Sequence, residues 1–135
     1  METIHCKNAW SVGVQEMDTQ HKKLLGMINR LIAEKKVLTS QETVAQLLTE
    51  MIEYAEVHFR AEEYLMAEYD YEQKATQEAQ HRAFIEKTQE FCSANNVGPN
   101  ILSTALLDYL GNWLVSHILQ EDMKYKEFFR SKNLS

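Results

Sequence analysis

Six side chains of this sequence have the types and spacings of a metal site: His21, His58-x-x-x-Glu62, His81 and His117-x-x-x-x-Asp122. They use four of the five histidines, and only His5 stands apart. Imidazole together with carboxylate is ligand chemistry for iron, manganese or zinc. Imidazoles can cap two ions while carboxylates bridge between them. Taken singly, each residue has an ordinary alternative, a hydrogen-bonded core histidine or, for His58 and Glu62, an i,i+4 helix pair. The metal reading gains force from their alignment, which depends on the elements that carry them.

Those elements read as helices. With 4 Gly and 1 Pro in 135 residues, turn chemistry is too sparse for many short strands. Residues 1–17 read as an irregular arm in which Trp10 covers one end of the fold. A first helix is expected over about 18–37, with Asp18 as N-cap and a stripe of Leu24, Leu25, Ile28, Leu31 and Ile32. A second, over about 39–69, opens on the capping-box pattern Thr39-x-x-Glu42. It carries Val44, Leu47, Leu48, Met51, Ala55, Leu65 and Met66, with His58 and Glu62 on the same stripe. The third, over about 71–93, should bury Gln77, His81, Phe84, Ile85, Thr88 and Phe91. Asn95 to Pro99 is the clearest loop. The fourth, over about 99–130, carries Leu102, Leu106, Leu110, Trp113, Leu114 and His117, with a bend or short break before a last helical piece from about 122. The sequence therefore predicts an all-α, up-down-up-down four-helix bundle, whose interior is where such folds build cofactor sites.

Heights along the bundle follow from a rise of about 1.5 Å per residue. His21 lies 17 residues before Leu38 and His58 lies 20 after it. Around Asp70, His58 is 12 before and His81 is 11 after, while Glu62 is 8 before and Gln77 is 7 after. His81 is 14 before Asn95, and His117 is 17 after Asn100. Every mismatch is within about one 5.4 Å turn. Unrelated core histidines have no reason to share a level, and buried Glu62 and Asp122 without a metal carry a large desolvation penalty.

Composition narrows the partners. The length fits a single domain, residues 1–135, able to bury a core without disulfides or a structural metal, so a metal here would serve function. Fourteen basic residues against 20 acidic ones give a net charge of −6 with no Lys/Arg cluster; this argues against nucleic acid or an anionic membrane. No apolar run reaches the ~20 residues of a membrane span, and the N-terminus lacks a signal-peptide core. The expectation is a cytoplasmic protein with Cys6 and Cys92 as reduced thiols; without CxxC spacing, a bridge between them stays open.

The candidate ligands sit within longer motifs: Trp10-x-x-Gly13, Asp18-x-Gln20-His21, His58-Phe59-x-x-Glu62-Glu63, His81-x-x-Phe84, and Trp113-Leu114-x-x-His117-Ile118 through Asp122-x-x-Tyr125. Over nearly the whole chain these resemble the hemerythrins, specifically the bacterial single-domain type. The resemblance implies two non-haem irons bridged by Glu62, Asp122 and an oxo or hydroxo group. It implies His21 and His58 on one iron, which keeps a position open for dioxygen, and His81, His117 and a third imidazole on the other. It also implies an apolar oxygen pocket at Leu24, Phe59, Trp113, Leu114 and Ile118, which are equally ordinary core residues. A dry pocket without a strong proton donor favours reversible binding over O–O cleavage. The implied function is oxygen carriage, storage or sensing, with dioxygen and a protein acceptor of oxygen as partners. Gln20, Glu53 and Glu63 are candidates to hold the outer ring nitrogens of the histidines.

One departure stands out. Where the family has a histidine four residues before His81, this chain has Gln77. The Gln77 amide oxygen could ligate, a water held by Gln77 could fill the place, or Glu78 could swing in. Glu78-x-x-His81 has the i,i+3 spacing of carboxylate di-iron bundles, although Glu78 points about 100° away from Gln77. A weaker ligand here supports an alternative reading, a di-iron enzyme acting on peroxide or nitric oxide. A metal-storage or purely structural bundle is the third.

Overall fold

The computed structural model describes residues 3–36, 41–94 and 104–135. Among these residues all regular structure is helical: a 3₁₀ turn at Asn8–Trp10, then α1 (Gln15–Lys36), α2 (Gln41–Glu68), α3 (Lys74–Ala94), α4 (Thr104–His117), a π-helical turn (Ile118–Asp122) and α5 (Met123–Ser131). The main contacts are α1 with α2, α2 with α3, α3 with α4 and α1 with α4. That closed square is the four-helix bundle read from the periodicity. No described helix is long and apolar enough to cross a membrane.

The predicted stripes form the core. Leu24, Leu25, Ile28, Leu31 and Ile32 of α1 are buried, as are Leu48, Met51, Ala55 and Met66 of α2, Phe84 of α3 and Leu106, Leu110 and Leu114 of α4. Leu47, Leu65 and Ile85 are half-buried against them. Each fully buried side chain of this size contributes about 1.5–3 kcal/mol of transfer free energy. The Thr39–Glu42 capping pattern, the Asn95–Pro99 loop and the side chains of Val44, Phe91, Cys92 and Leu102 lie outside the described residues. Cys6 is an exposed, free thiol.

Four local features were not in the sequence reading, each with a local reason. First, α1 begins at Gln15 rather than Asp18, because Val14 and Met17 extend its apolar stripe into the core. Asp18 is therefore not the N-cap. It lies in the first turn, where an acidic group suits the helix dipole, and its carboxylate accepts from Ser11 Oγ at 2.6 Å and Val12 N–H at 2.8 Å. These bonds tie the arm to α1, and the chain turns between them at Gly13, φ +77°, a left-handed conformation that suits glycine. Trp10 packs half-buried against the core from this arm.

Second, α2 ends in a Schellman motif. Asp70 takes a left-handed φ of +57°, Tyr71 N–H donates to Met66 O at 2.8 Å, and Asp70 N–H donates to Ala67 O at 3.4 Å. Such a cap satisfies carbonyls the helix leaves open. Third, it uses up Tyr71, so α3 begins at Lys74 rather than Tyr71. Fourth, the expected bend or break before residue 122 is instead a π turn, which keeps the chain helical from α4 into α5.

Candidate metal centre

Five elements deliver seven side chains to one place. α1 supplies His21, α2 supplies His58 and Glu62, α3 supplies Gln77 and His81, α4 ends on His117, and the π turn ends on Asp122. All seven are buried, Gln77 completely. The π turn has a clear purpose here. In an α-helix, residues i and i+5 diverge by roughly 140° around the axis. A turn closed by i→i+5 bonds brings them onto one face. His117 Nε2 accordingly lies 3.2 Å from Asp122 Oδ1.

The two carboxylates stand between pairs of imidazoles. Asp122 presents Oδ2 to His21 Nε2 at 3.2 Å and Oδ1 to His117 Nε2. Glu62 presents Oε2 to His21 Nε2 at 3.5 Å. Its Oε1 faces His58 Nε2 at 3.2 Å and His81 Nε2 at 3.5 Å. His81 Nε2 and His117 Nε2 are 3.2 Å apart. Donors about 2.1 Å from one ion stand roughly 3 Å apart when adjacent in its coordination sphere, so these spacings suit a shared ion. Two overlapping groups each bring one donor atom per residue within 4.8 Å of the others: His21, His58 and Glu62, and Glu62, His81 and His117.

Hydrogen bonding sharpens the fit. Both ring nitrogens of His21, Glu62 Oε1, Gln77 Oε1 and Asp122 Oδ2 are buried without a hydrogen-bond partner. Buried polar atoms are seldom left so, and a cation between them would engage most of them at once. The outer nitrogens of two rings are already held: His58 Nδ1 pairs with Gln20 Oε1 at 2.6 Å and His81 Nδ1 with Glu63 Oε2 at 2.7 Å. This fixes the tautomer that turns Nε2 inward. Glu53, expected as a third such partner, is instead exposed on the outer face of α2.

Electrostatics point the same way. Burial disfavours charge on His21, yet Asp122 and Glu62 outweigh it and push its pKa up to about 10. His117 also moves up, with Asp122 prevailing over burial. Burial pushes His81 down. Burial opposes ionisation of Glu62 and Asp122 too, but His58 and His21 hold Glu62 well below the usual range, and His117 and His21 lower Asp122. The carboxylates stay charged and draw positive charge into the cluster.

Gln77 donates its Nε2–H to Asp122 Oδ1 at 3.0 Å, which turns its Oε1 away from that carboxylate. Glu78 is turned aside and paired with Lys74 and Arg82. Of the five expected pocket residues, Leu24, Phe59, Leu114 and Ile118 are buried and Trp113 is half-buried, and the Phe59 and Trp113 rings meet edge-on at 5.9 Å. Phe59 stacks on His81 with centroids 4.0 Å apart, and Trp113 stacks on His117 at 4.5 Å. A cavity of about 290 Å³ under the arm, bordered by Cys6, Trp10 and Lys22, reaches His21 and Ile118.

Tyr125 is the functional residue that received no role from the sequence. Fully buried, it donates its hydroxyl to Glu62 Oε2 at 2.6 Å. Burial and the charges of Glu62 and Asp122 raise its pKa well above the ordinary value, so it stays a donor. Its i+3 spacing from Asp122 was the available signal.

With that geometry in place, comparison with known proteins is direct. Residues 12–129 match the hemerythrin family, described as the Hemerythrin HHE cation binding domain. The chain belongs to the hemerythrin family. Its relatives include a bacteriohemerythrin of Clostridium acetobutylicum, 27% identical over 88% of this chain and 95% of that protein. A hemerythrin-like protein of Naegleria gruberi is 30% identical over 88% of this chain and 87% of its own. The bacteriohemerythrin of Pseudomonas paraeruginosa is 28% identical over 89% and 77%. A hemerythrin-family cluster able to hold metal is thus set in the middle of the bundle.

Proposed function

We propose that this hemerythrin-family chain holds two non-haem irons and binds dioxygen reversibly, as a carrier, store or sensor. The observation that carries the reading is the placement of Glu62 and Asp122 between two imidazole pairs, with buried donor atoms left unpartnered. In this reading His21, His58, His81, His117, Glu62 and Asp122 would hold the irons, with the Gln77 oxygen as a further donor beside His81 and His117. Such an iron pair would supply the electrons that dioxygen takes up on binding and returns on release.

The chain's own residues govern the rest. Gln20 and Glu63 keep two imidazoles oriented, and Tyr125 holds one Glu62 oxygen in place. Leu24, Phe59, Trp113, Leu114 and Ile118 present no acidic hydrogen to a bound ligand. An apolar wall that offers no proton disfavours O–O cleavage and so favours release of the ligand intact.

The test is metal analysis with visible spectra of the anaerobically reduced protein, before and after air, over repeated cycles. Two irons and a spectrum restored on removal of oxygen are expected. Irreversible oxidation in the first cycle would favour the second reading, a di-iron enzyme acting on peroxide or nitric oxide. The observation behind that second reading is Gln77, an amide where the family pattern has an imidazole.

A further inference from the structure

The amide of Gln77 makes the two halves of the cluster alike. Each half has two inward-facing imidazoles, His21 with His58 and His81 with His117, and both share the carboxylates of Glu62 and Asp122. A third strong donor on the His81/His117 side would close that side to outside ligands. Gln77 is not such a donor. Carbonyl oxygens suit hard ions such as magnesium, calcium and manganese, whereas imidazole suits iron. The Gln77 amide also has its own anchor, the bond from Nε2–H to Asp122 Oδ1. Its oxygen can leave a metal without the side chain losing its place.

We infer that the His81/His117 position accepts a small exogenous ligand of its own, with Gln77 as a displaceable oxygen that guards it. The inference rests on the di-iron reading above and extends it from one open position to two. Open space comes close to both halves. The cavity under the arm reaches His21 and Ile118. A groove of about 300 Å³ borders His81, Phe59 and Glu63, and a cleft of about 220 Å³ borders His117 and Trp113. The ligand class is a small anion or diatomic molecule that can donate an electron pair to a metal within a buried space.

Azide is the probe. Titrated into the oxidised, iron-loaded protein, it is expected to bind at two per pair of irons, counted by calorimetry and by the infrared azide stretch. Gln77→His, which restores an imidazole, should reduce this to one. Gln77→Glu, a charged donor of the same length, should also give one, and it keeps the test decisive if the imidazole disturbs the packing. One azide in all three proteins overturns the inference while leaving the di-iron reading intact. One iron in the unaltered protein and two in Gln77→His also overturns it, since the guarded position then holds no metal. No iron in any of them overturns the di-iron reading itself, and this inference falls with it.

Discussion

Tyr125 and Glu62, 63 residues apart in sequence, meet through a 2.6 Å hydrogen bond in the floor of the cluster. The bond joins α5 to α2 and ties the C-terminal helical piece to the centre of the bundle. It fixes one oxygen of a carboxylate that faces three imidazoles. Tyr125→Phe keeps the ring and removes only the donor. Loss of a buried hydrogen bond to a charged group should lower stability by about 1.5–3 kcal/mol, read from denaturant midpoints of the metal-free protein. Iron should also leave faster to a chelator. An unchanged midpoint would show that Glu62 finds another donor.

Gln20 and Glu63 hold the outer nitrogens of His58 and His81. Removing such partners typically weakens metal binding by about 10–100-fold. Gln20→Ala and Glu63→Ala should each fall in that range in a competition assay with a metal-sensitive dye. Glu53→Ala is the matched control, because Glu53 is exposed, and it should leave affinity unaltered.

Protonation gives a signed prediction for the metal-free protein. His21 titrates at about 10 against an ordinary value of 6.5. A raised folded-state pKa stabilises fully below pH 6.5, and the contribution is lost as pH rises toward 10. Glu62 and Asp122 are lowered from 4.5 and 3.8. Their contributions are present above those values and are lost as pH falls through the depressed ones. Stability of the metal-free protein should therefore decline from pH 7 to pH 10. Iron should abolish that alkaline decline, because the metal replaces the protons. Uptake of iron at pH 7 should release protons into weakly buffered solution, measurable with an indicator. A flat profile in metal-free protein would refute the assignment of charge to His21.

Asp18 binds the arm through Ser11 and Val12. Asp18→Ala should free the segment before α1, with a stability loss of about 1 kcal/mol and faster proteolysis near Trp10. If cleavage does not accelerate, apolar burial of Val12 and Val14 alone holds the arm.

Much of the cluster was legible in the sequence because helical rise is nearly constant. Counting residues from Asp70 placed His58 opposite His81 and Glu62 opposite Gln77, and all four are buried. Residue types alone said less about hydrogen bonds. Gln20, Glu53 and Glu63 were equal candidates on charge and polarity, yet only rotation around α1 and α2 decides which of them reach a ring. The Schellman turn was missed because Asp70 occupies a left-handed position that glycine more often fills. The π turn was read only as a bend or short break, because an i,i+5 pair of ligands conflicts with α-helical phase without saying how the chain resolves it. Tyr125 looked like one more core aromatic, and its hydroxyl acquired meaning only from the carboxylate beside it.

The ring of Trp113 lies over His117 at 4.5 Å and only 9° from parallel. An indole so close to an imidazole is an optical gauge built into the protein. Its emission should respond to the charge on His117 and should be extinguished by a paramagnetic ion held there. With Trp10→Phe removing the second emitter, filling of one half of the cluster can be followed by light alone, in real time and without added dye.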